Sequence, residues 1–345
     1  MIILIRNENQ GVRRVENIIS NWGYDYILMS RYRKTMIRIS DYLKDKKHLD
    51  ILKELSEVED IIMDENPYFL VSKRFKSQDT LISVGRILIG NTLSVIAGPC
   101  SVESYDQLKA IATFLKSQGV NLLRGGAYKP RTSPYSFQGL EEKGLKMLRS
   151  VADELNMFVV TEAIDIPSFD YVERYADIIQ IGARNMQNFS LLKRAGHAKK
   201  PILLKRGFMS TIDEFLSAAE YVVFHGNENV ILCERGIRTY EPRTRFTLDI
   251  SAIPVLKELT HLPVIVDPSH AAGRRSLVIP LAQASLASGA DGIMVEVHNN
   301  PDMAVSDGKQ SLTFSMFEEL MKKINVKSVY GKRKDSWPFM QPSFS

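Results

Sequence analysis

The sequence predicts an α/β protein in which a small βαββαβ module precedes a (β/α)8 barrel. Over the first 65 residues, short apolar runs and amphipathic stretches alternate in the order strand, helix, strand, strand, helix, strand. After residue 93 eight short apolar runs recur, and helical stretches separate them. No glycine-rich phosphate turn follows the first of these runs, which disfavours an open, doubly wound sheet.

The first module has the element order of a ferredoxin-like domain. Its predicted strands are 2–5, 24–29, 34–40 and 58–63, and its predicted helices are 11–22 and 48–55. We assign residues 1–65 to this domain. Residues 66–92 are predicted to be a linker with short strands, because Asn-Pro and Gly-Asn pairs interrupt them.

The eight later runs are each short enough to be buried parallel strands. They occupy 93–98, 121–126, 157–163, 178–184, 201–207, 230–236, 262–270 and 292–298. The helices between them include 104–118, 140–156, 211–224 and 274–288. We therefore predict a TIM barrel over residues 93–327 and a C-terminal tail over 328–345.

Composition narrows the class of protein. The 345 residues are 44% hydrophobic and 25% charged, as in ordinary globular proteins, and the formal net charge is +5. Such a charge suits a nucleic-acid binder or an enzyme for small anions, and cations at strand ends favour the enzyme. Two cysteines, no signal-peptide pattern and no apolar run near the ~18 residues of a membrane helix predict a cytoplasmic protein that binds neither nucleic acid nor membrane.

Polar side chains follow every predicted barrel strand, at the end where such barrels build their sites. The cations there are Arg124, Lys129, Arg184, Lys205 and Arg235, which converge from different strands. They would repel one another without anions between them, so we expect a substrate with at least two anionic groups. Two prolines stiffen the neighbouring loop, which presents Arg131, Thr132 and Ser133.

A second group of strand-end residues could hold a divalent metal. Cys100, His270 and Glu296 follow the first, seventh and eighth barrel strands, and Asp307 lies in the loop after the eighth. One thiol, one imidazole and two carboxylates make a plausible mixed site, although solvated strand ends are the alternative. Cys233 lies inside an apolar strand and is expected to be an inert core thiol.

The remaining histidines carry no clear signal. His48, His197, His225 and His261 are expected at the surface or at helix caps. His298 follows Glu296 by two residues, on the same face of an extended segment, and could support the metal site or simply end a strand.

Seven segments resemble the 3-deoxy-D-arabino-heptulosonate 7-phosphate (DAHP) synthases, most closely their type Iβ group. These are IAGPCSVES, RGGAYKPRTSPYSFQG, IIQIGARNMQNF, PILLKRGF, ILCERGIRT, VDPSHAAGRR and VEVHNNPDMAVSDGKQSL. They follow the family's order over residues 93–325. The related 3-deoxy-manno-octulosonate 8-phosphate synthases, which use arabinose 5-phosphate, have Ala-Asn-Arg-Ser where this chain has Pro-Arg-Thr-Ser at 130–133.

The resemblance implies condensation of phosphoenolpyruvate with erythrose 4-phosphate, the first step of the shikimate pathway. It implies one divalent ion per subunit, Mn²⁺ first and otherwise Fe²⁺, Zn²⁺ or Co²⁺, on Cys100, His270, Glu296 and Asp307. Phosphoenolpyruvate should contact Arg124, Lys129, Ala183, Arg184, Lys205 and Arg235, and erythrose 4-phosphate should contact Arg131, Thr132 and Ser133. Lys129 and Glu162 are the expected catalytic residues.

The resemblance also bears on regulation and partners. The N-terminal module is similar to the regulatory domain of some type Iβ enzymes, but Leu28 stands where tyrosine-sensitive relatives have a histidine. A homotetramer or homodimer is expected, and a chorismate mutase is a possible partner. The rival hypotheses are an octulosonate 8-phosphate synthase and a non-catalytic sensor of a phosphometabolite.

Overall fold

The structure, a computed structural model, describes residues 1–6, 9–39, 45–63 and 67–324. It divides into two compact units, Met1–Leu70 and the chain from Val71 onward. The division therefore falls slightly after the boundary predicted at residue 65. The predicted tail, 328–345, lies outside the described residues. Within the described part, no helix is both long and apolar enough to cross a bilayer.

The first unit is a four-stranded antiparallel sheet with two helices, in the predicted element order. The elements are β1 Ile2–Ile5, α1 Asn9–Asn21, β2 Tyr26–Arg31, β3 Lys34–Ile39, α2 Lys46–Glu54 and β4 Val58–Ile62. The strands lie in the order β2-β3-β1-β4. Ile3, Ile37 and Val58 share one sheet face and pack with Ile19 and Leu52 of the helices. The buried apolar side chains of the sheet and the two helices thus form this unit's core.

The second unit is a closed barrel of eight parallel strands, which confirms the predicted fold class. Its strands are β7 Ser94–Gly98, β8 Leu122–Arg124, β9 Phe158–Ala163, β10 Ile178–Ile181, β11 Ile202–Lys205, β12 Val230–Glu234, β13 Val264–Val266 and β14 Gly292–Glu296. Its helices are α3 Tyr105–Ser117, α4 Glu141–Glu154, α5 Ile166–Tyr175, α6 Phe189–Gly196, α7 Ile212–Phe224, α8 Ala252–Leu259, α9 Pro268–Ala272, α10 Arg275–Ala287 and α11 Phe314–Ile324.

The barrel closes between its first and last strands, β7 and β14, which pair in parallel. Gly292 lies opposite Ser94 in this pairing, and a Cβ at Gly292 would lie 2.3 Å from the Ser94 carbonyl oxygen. Only glycine fits that close backbone approach. The closure brings residues that follow β7, β13 and β14 to one end of the barrel, the end that carries the candidate site.

A short hairpin seals the other end of the barrel. Its strands, β5 Ile82–Val84 and β6 Ile87–Ile89, lie in the segment that was predicted to be a linker with short strands. Ile82, Val84 and Ile89 are buried in one cluster with inward-facing residues of the barrel strands, such as Ile96 and Met294. The hairpin therefore forms the base of the barrel core, which is a packed interior as in other barrels of this type.

One histidine prediction and one strand prediction need correction, and one cysteine prediction is confirmed. His261 is fully buried and bonds the Thr80 hydroxyl at 2.8 Å, so it belongs to the interior and not to the surface. The run 262–270 contains only a three-residue strand, because Asp267 caps helix α9. Cys233 is a buried, unbridged core thiol, as predicted.

Truncating the hairpin should destabilise the barrel. Ile82 is fully buried, so Ile82→Ala should lower the free energy of unfolding by about 2–4 kcal/mol through lost burial and the resulting cavity. Its neighbour Leu81 is 47% exposed, and Leu81→Ala should lower it by less than about 1 kcal/mol. Urea titration of both variants measures the difference; equal losses would show that the hairpin is not part of the core.

Candidate active site

A cavity opens at the carboxyl ends of the barrel strands, where the sequence predicted the site. Of the predicted site residues, its wall contains Arg124, Lys129, Arg131, Thr132, Glu162, Ala183, Arg184, Lys205, Arg235, His270 and Asp307. Cys100 and Glu296 are buried beside His270 and Asp307. Ser133 does not line the cavity, whereas Ser136 of the same loop does. The barrel thus gathers almost all predicted residues at one place.

Four potential ligand atoms converge at one side of this cavity. Those of Cys100, His270, Glu296 and Asp307 lie within 4.8 Å of one another. His270 Nε2 is 3.3 Å from Glu296 Oε1 and 3.8 Å from Asp307 Oδ2, and Cys100 Sγ is 3.4 Å from Asp307 Oδ2. A tetrahedral site with bonds of about 2.2 Å has ligand separations of about 3.6 Å. The spacing therefore suits a metal ion.

The electrostatics of this cluster also suit a cation. Glu296 is fully buried, and its Oε1 accepts no hydrogen bond, although Arg124 Nη2 approaches it to 3.2 Å. A buried carboxylate oxygen without a hydrogen bond is unfavourable unless another partner takes it. Burial raises the pKa of the Cys100 thiol to about 12, and the Glu296 carboxylate adds to that shift. A bound divalent ion would offset both penalties.

Asp267 joins the metal-side residues to the anion-side residues. Its Oδ1 accepts the His270 backbone N–H at 2.9 Å, and its Oδ2 accepts the His270 Nδ1–H at 2.7 Å. The same Oδ2 accepts a hydrogen bond from Lys205 Nζ. Because Nδ1 is the donor, Nε2 is left to face the cluster. Burial lowers the pKa of His270, which favours the neutral, ligating imidazole.

Two further contacts fix the carboxylate ligands. Gln310 Nε2 donates to Glu296 Oε2 at 2.7 Å, and Arg245 Nη1 donates to Gln310 Oε1 at 3.1 Å. Arg245 Nη1 also bonds Asp307 Oδ1 at 3.2 Å. One arginine from the loop after β12 therefore holds both carboxylates, directly or through an amide. Outer contacts of this kind orient metal ligands in proteins.

Lys129, the first residue of the loop KPRTS (129–133), contacts the four-donor cluster at Cys100. Lys129 is buried, and its Nζ donates to the Cys100 carbonyl oxygen at 2.9 Å and approaches Cys100 Sγ at 3.1 Å. The loop folds back on itself, since Lys129 N donates to Gln138 O and Arg131 Nε donates to Phe137 O. Gly139, at φ +100, completes the fold where a Cβ would lie 2.0 Å from a carbonyl oxygen.

Glu162 faces the cavity from the end of β9. Gln180, directly across on β10, donates through Nε2 to Glu162 Oε2 at 2.9 Å. A side chain at Gly182 would place its Cβ 2.0 Å from Glu162 Oε1, so the absence of a side chain there makes room for the carboxylate. The Glu162 carboxylate is therefore held in one orientation by neighbours that carry no charge, Gln180 and Gly182.

Two polar residues that follow barrel strands, Arg206 and His298, lie outside the cavity wall. Arg206 pairs with Glu234 at 2.8 Å and with Asp249 at 2.9 Å, which ties the loop after β11 to β12. His298 faces Glu103 and Gln107, and not the metal cluster. Buried charges persist in proteins only when they are paired, and the partners of these residues lie on neighbouring elements. The pairs therefore support the loops around the site.

Sequence reasoning missed several residues of the site. Gln180, Phe208 and Arg245 line the cavity, and Gln310 contacts Glu296. Gln180 carried a signal, because it is the polar member of the otherwise apolar strand IIQI. Phe208 and Arg245 carried none, since each lies in an irregular loop whose path the sequence does not specify.

The chain matches known proteins over most of its length. Residues 71–330 match the profile of the DAHP synthetase I family. The chain is 51% identical to a phospho-2-dehydro-3-deoxyheptonate aldolase of Thermotoga maritima, over 94% of this chain and 96% of that protein. The crystal structure of that organism's phospho-2-dehydro-3-deoxyheptonate aldolase (DAHP synthase) superposes with a TM-score of 0.75 at 50% identity, covering 94% of this chain and 95% of that chain.

A more distant similarity reaches the rival family. A 2-dehydro-3-deoxyphosphooctonate aldolase of Desulfosudis oleivorans is 33% identical over 70% of this chain and 91% of that protein. The identity is lower and the share of this chain is smaller than for the heptonate aldolase.

Proposed function

The chain belongs to the DAHP synthetase I family, and we propose that it condenses phosphoenolpyruvate with erythrose 4-phosphate and water. The products are DAHP and inorganic phosphate. This proposal rests on one observation: Asp267 and Lys129 connect the four-donor cluster to a set of cations. An enzyme that joins a doubly charged enol phosphate to a phosphorylated aldehyde needs the cluster and the cations within one cavity.

Cys100, His270, Glu296 and Asp307 would hold one divalent ion. When bound, the ion supplies Lewis-acid polarisation of the aldehyde oxygen. Mn²⁺ is our first choice, because two carboxylates favour a hard ion. Fe²⁺, Zn²⁺ and Co²⁺ are the alternatives, because thiolate and imidazole favour softer ones.

The cations divide the substrates between them. We assign the phosphate and carboxylate of phosphoenolpyruvate to Arg124, Arg184, Lys205 and Arg235, with the Ala183 backbone and Lys129 beside them. The half-buried Arg131 and the exposed Thr132 of the loop are assigned to the phosphate of erythrose 4-phosphate. Ser133 of the same loop is a further candidate, which would need to turn toward the cavity that Ser136 lines.

The chain's own residues would carry the proton and charge movements. C3 of phosphoenolpyruvate attacks the aldehyde carbon, and Lys129 donates a proton to the aldehyde oxygen. Positive charge develops at C2, where Glu162, fixed by Gln180, stabilises it. Water adds at C2 and loses a proton, and C–O cleavage then releases phosphate and leaves the ketone of the product.

The setting of the enzyme follows from the same family membership. We propose a cytoplasmic homo-oligomer, a tetramer or a dimer, for which a chorismate mutase is a candidate partner. We also propose a regulatory role for the first unit. Leu28 is 43% exposed on β2, so a tyrosine site built around a histidine at this position is not expected.

Chelator-stripped protein tests the reaction and both rivals. It should consume phosphoenolpyruvate and release phosphate with erythrose 4-phosphate only after Mn²⁺ is added, and should be inactive with arabinose 5-phosphate. Turnover only with the five-carbon sugar would favour the octulosonate synthase. Binding of metal and phosphoenolpyruvate without turnover would favour the sensor. The assay follows the loss of enol absorbance and the appearance of phosphate.

The two cysteines test the metal site as a matched pair. Cys100→Ser should lose most of its bound metal on dialysis, because a neutral hydroxyl replaces a thiolate ligand. Cys233→Ala, at an equally buried position in the barrel core, should keep one ion per chain. Metal analysis of the two proteins decides it, and full retention by Cys100→Ser would remove that residue from the ligand set.

Lys129→Met tests the proton donor. Turnover should fall at least about 100-fold, the usual range for loss of a general acid, with the fold intact. Lys116→Met is the control. Lys116 lies on helix α3 at the barrel exterior, where it bonds Asn121, so this substitution should leave turnover unchanged. Steady-state rates give the comparison; near-normal turnover of Lys129→Met would assign the proton to another group.

A further inference from the structure

Two phenylalanines form a stacked pair beside the cavity. Phe208 follows β11 and Phe246 lies in the loop after β12; their ring centroids are 4.9 Å apart with planes 19° apart. Backbone contacts fix both, since Arg238 N donates to Phe208 O at 2.6 Å and Phe246 N donates to Ala271 O at 2.9 Å. The position of the pair is therefore set by the backbone of two loops.

Three guanidinium groups lie over these rings. Arg235 Cζ is 3.9 Å from the Phe246 centroid and 4.9 Å from the Phe208 centroid. Arg184 Cζ is 5.2 Å and Arg238 Cζ 5.8 Å from the Phe208 centroid. All four distances fall within the range of cation–π attraction, about 6 Å. Phe208 is the ring that all three share.

Four other cations of this region are paired with carboxylates. Arg124 pairs with Glu296, Lys205 with Asp267, Arg206 with Glu234, and Arg245 with Asp307. Among the residues that the structure describes, no carboxylate forms a salt bridge with the guanidinium groups over Phe208. Arg184 and Arg235 both line the cavity. The cavity therefore has arginines bound to carboxylates and arginines bound to aromatic rings.

The second kind of contact leaves an arginine ready for an anion. A ring face attracts the guanidinium as a whole and uses none of the five in-plane N–H donors, whereas a carboxylate occupies two of them. Burial lowers the pKa of Arg235 to about 10, so the empty cavity disfavours its charge. The aromatic faces offset part of that penalty without filling the donors.

We propose that Phe208 is a positioning residue for substrate binding. Its ring holds Arg184 and Arg235 at the cavity wall before the anion arrives. Arg235 Nη1 makes one long contact with Gly236 O, at 3.5 Å, and neither guanidinium is tied to a carboxylate, so less side-chain ordering is required on binding. This inference rests on the proposed function, in which those two arginines bind phosphoenolpyruvate. It adds a residue that makes its contribution through the arginines.

Fluorination of one ring tests this directly. Fluorines weaken the negative face of phenylalanine stepwise while hardly changing its size. The metal-loaded protein should be prepared with 4-fluoro-, 3,5-difluoro- and 3,4,5-trifluorophenylalanine at position 208. The Kd for phosphoenolpyruvate, measured by calorimetry without the aldose, should rise with each fluorine, by about fivefold over the series.

The same series at Phe114 is the matched control. Phe114 is also half-buried, and it stacks on Phe314 at 4.0 Å in the helical layer of the barrel. No change in Kd is expected there. A flat series at position 208, in protein that still turns over, overturns this inference and leaves the proposed function standing. Wild-type protein that binds no phosphoenolpyruvate overturns both.

Simple substitutions give an independent readout. Phe208→Leu should raise the Kd and KM for phosphoenolpyruvate about tenfold and lower kcat less, because the substrate's own charge realigns the arginines once it is bound. Phe208→Tyr keeps the ring face and should stay within about twofold of wild type. A Tyr variant as impaired as the Leu variant would indicate a packing role and would contradict the proposal.

Discussion

The carboxylate of Asp267 is the constraint on which the rest of the site depends. It begins a short helix, fixes the ring of His270 and bonds Lys205, all from a fully buried position. Each of these contacts restricts the others, because a buried carboxylate must keep its partners to remain charged. The distance between the four-donor cluster and the cations of the cavity wall is therefore set by one side chain, that of Asp267.

The charges around the cavity form one balanced arrangement. Glu296 and Asp307 would repel each other at the cluster, and Arg124, from the end of β8, and Arg245, from the loop after β12, approach them. The opposite wall is rich in cations with few carboxylates. In a low-dielectric cavity such an asymmetry would stabilise a cation on one side and an anion on the other.

Regular elements were predictable from the sequence, because each has a local signature. The eight barrel strands and the four named helices fall within the predicted runs, and polar residues at the strand ends mark the face that carries the site. The hairpin over 82–89 was not recognised as part of the barrel, since strands of only three residues carry too little pattern to show where they pack. Burial of His261 was missed because its partner, Thr80, is distant in sequence.

The loops explain what the sequence could not predict about the site. Phe208 and Arg245 line the cavity from irregular loops, whose conformation depends on tertiary packing. No periodic pattern in the sequence predicts where these side chains lie. The resemblance to a known family named metal ligands and substrate contacts, most of which the barrel gathers at one end. It gave no information on the contacts that hold those residues in place, which are specific to the packing of neighbouring loops.

The hairpin closes one end of the barrel, so the cavity at the other end has a single opening. Both reactants enter by the loop end, and both products leave by it, since the packed interior blocks the other route. Arg124 and Lys205 line the cavity from buried positions, whereas Thr132 of the same cavity is exposed. Access to the site is consequently one-sided: a molecule can reach the buried cations only from the end of the barrel that carries the loops.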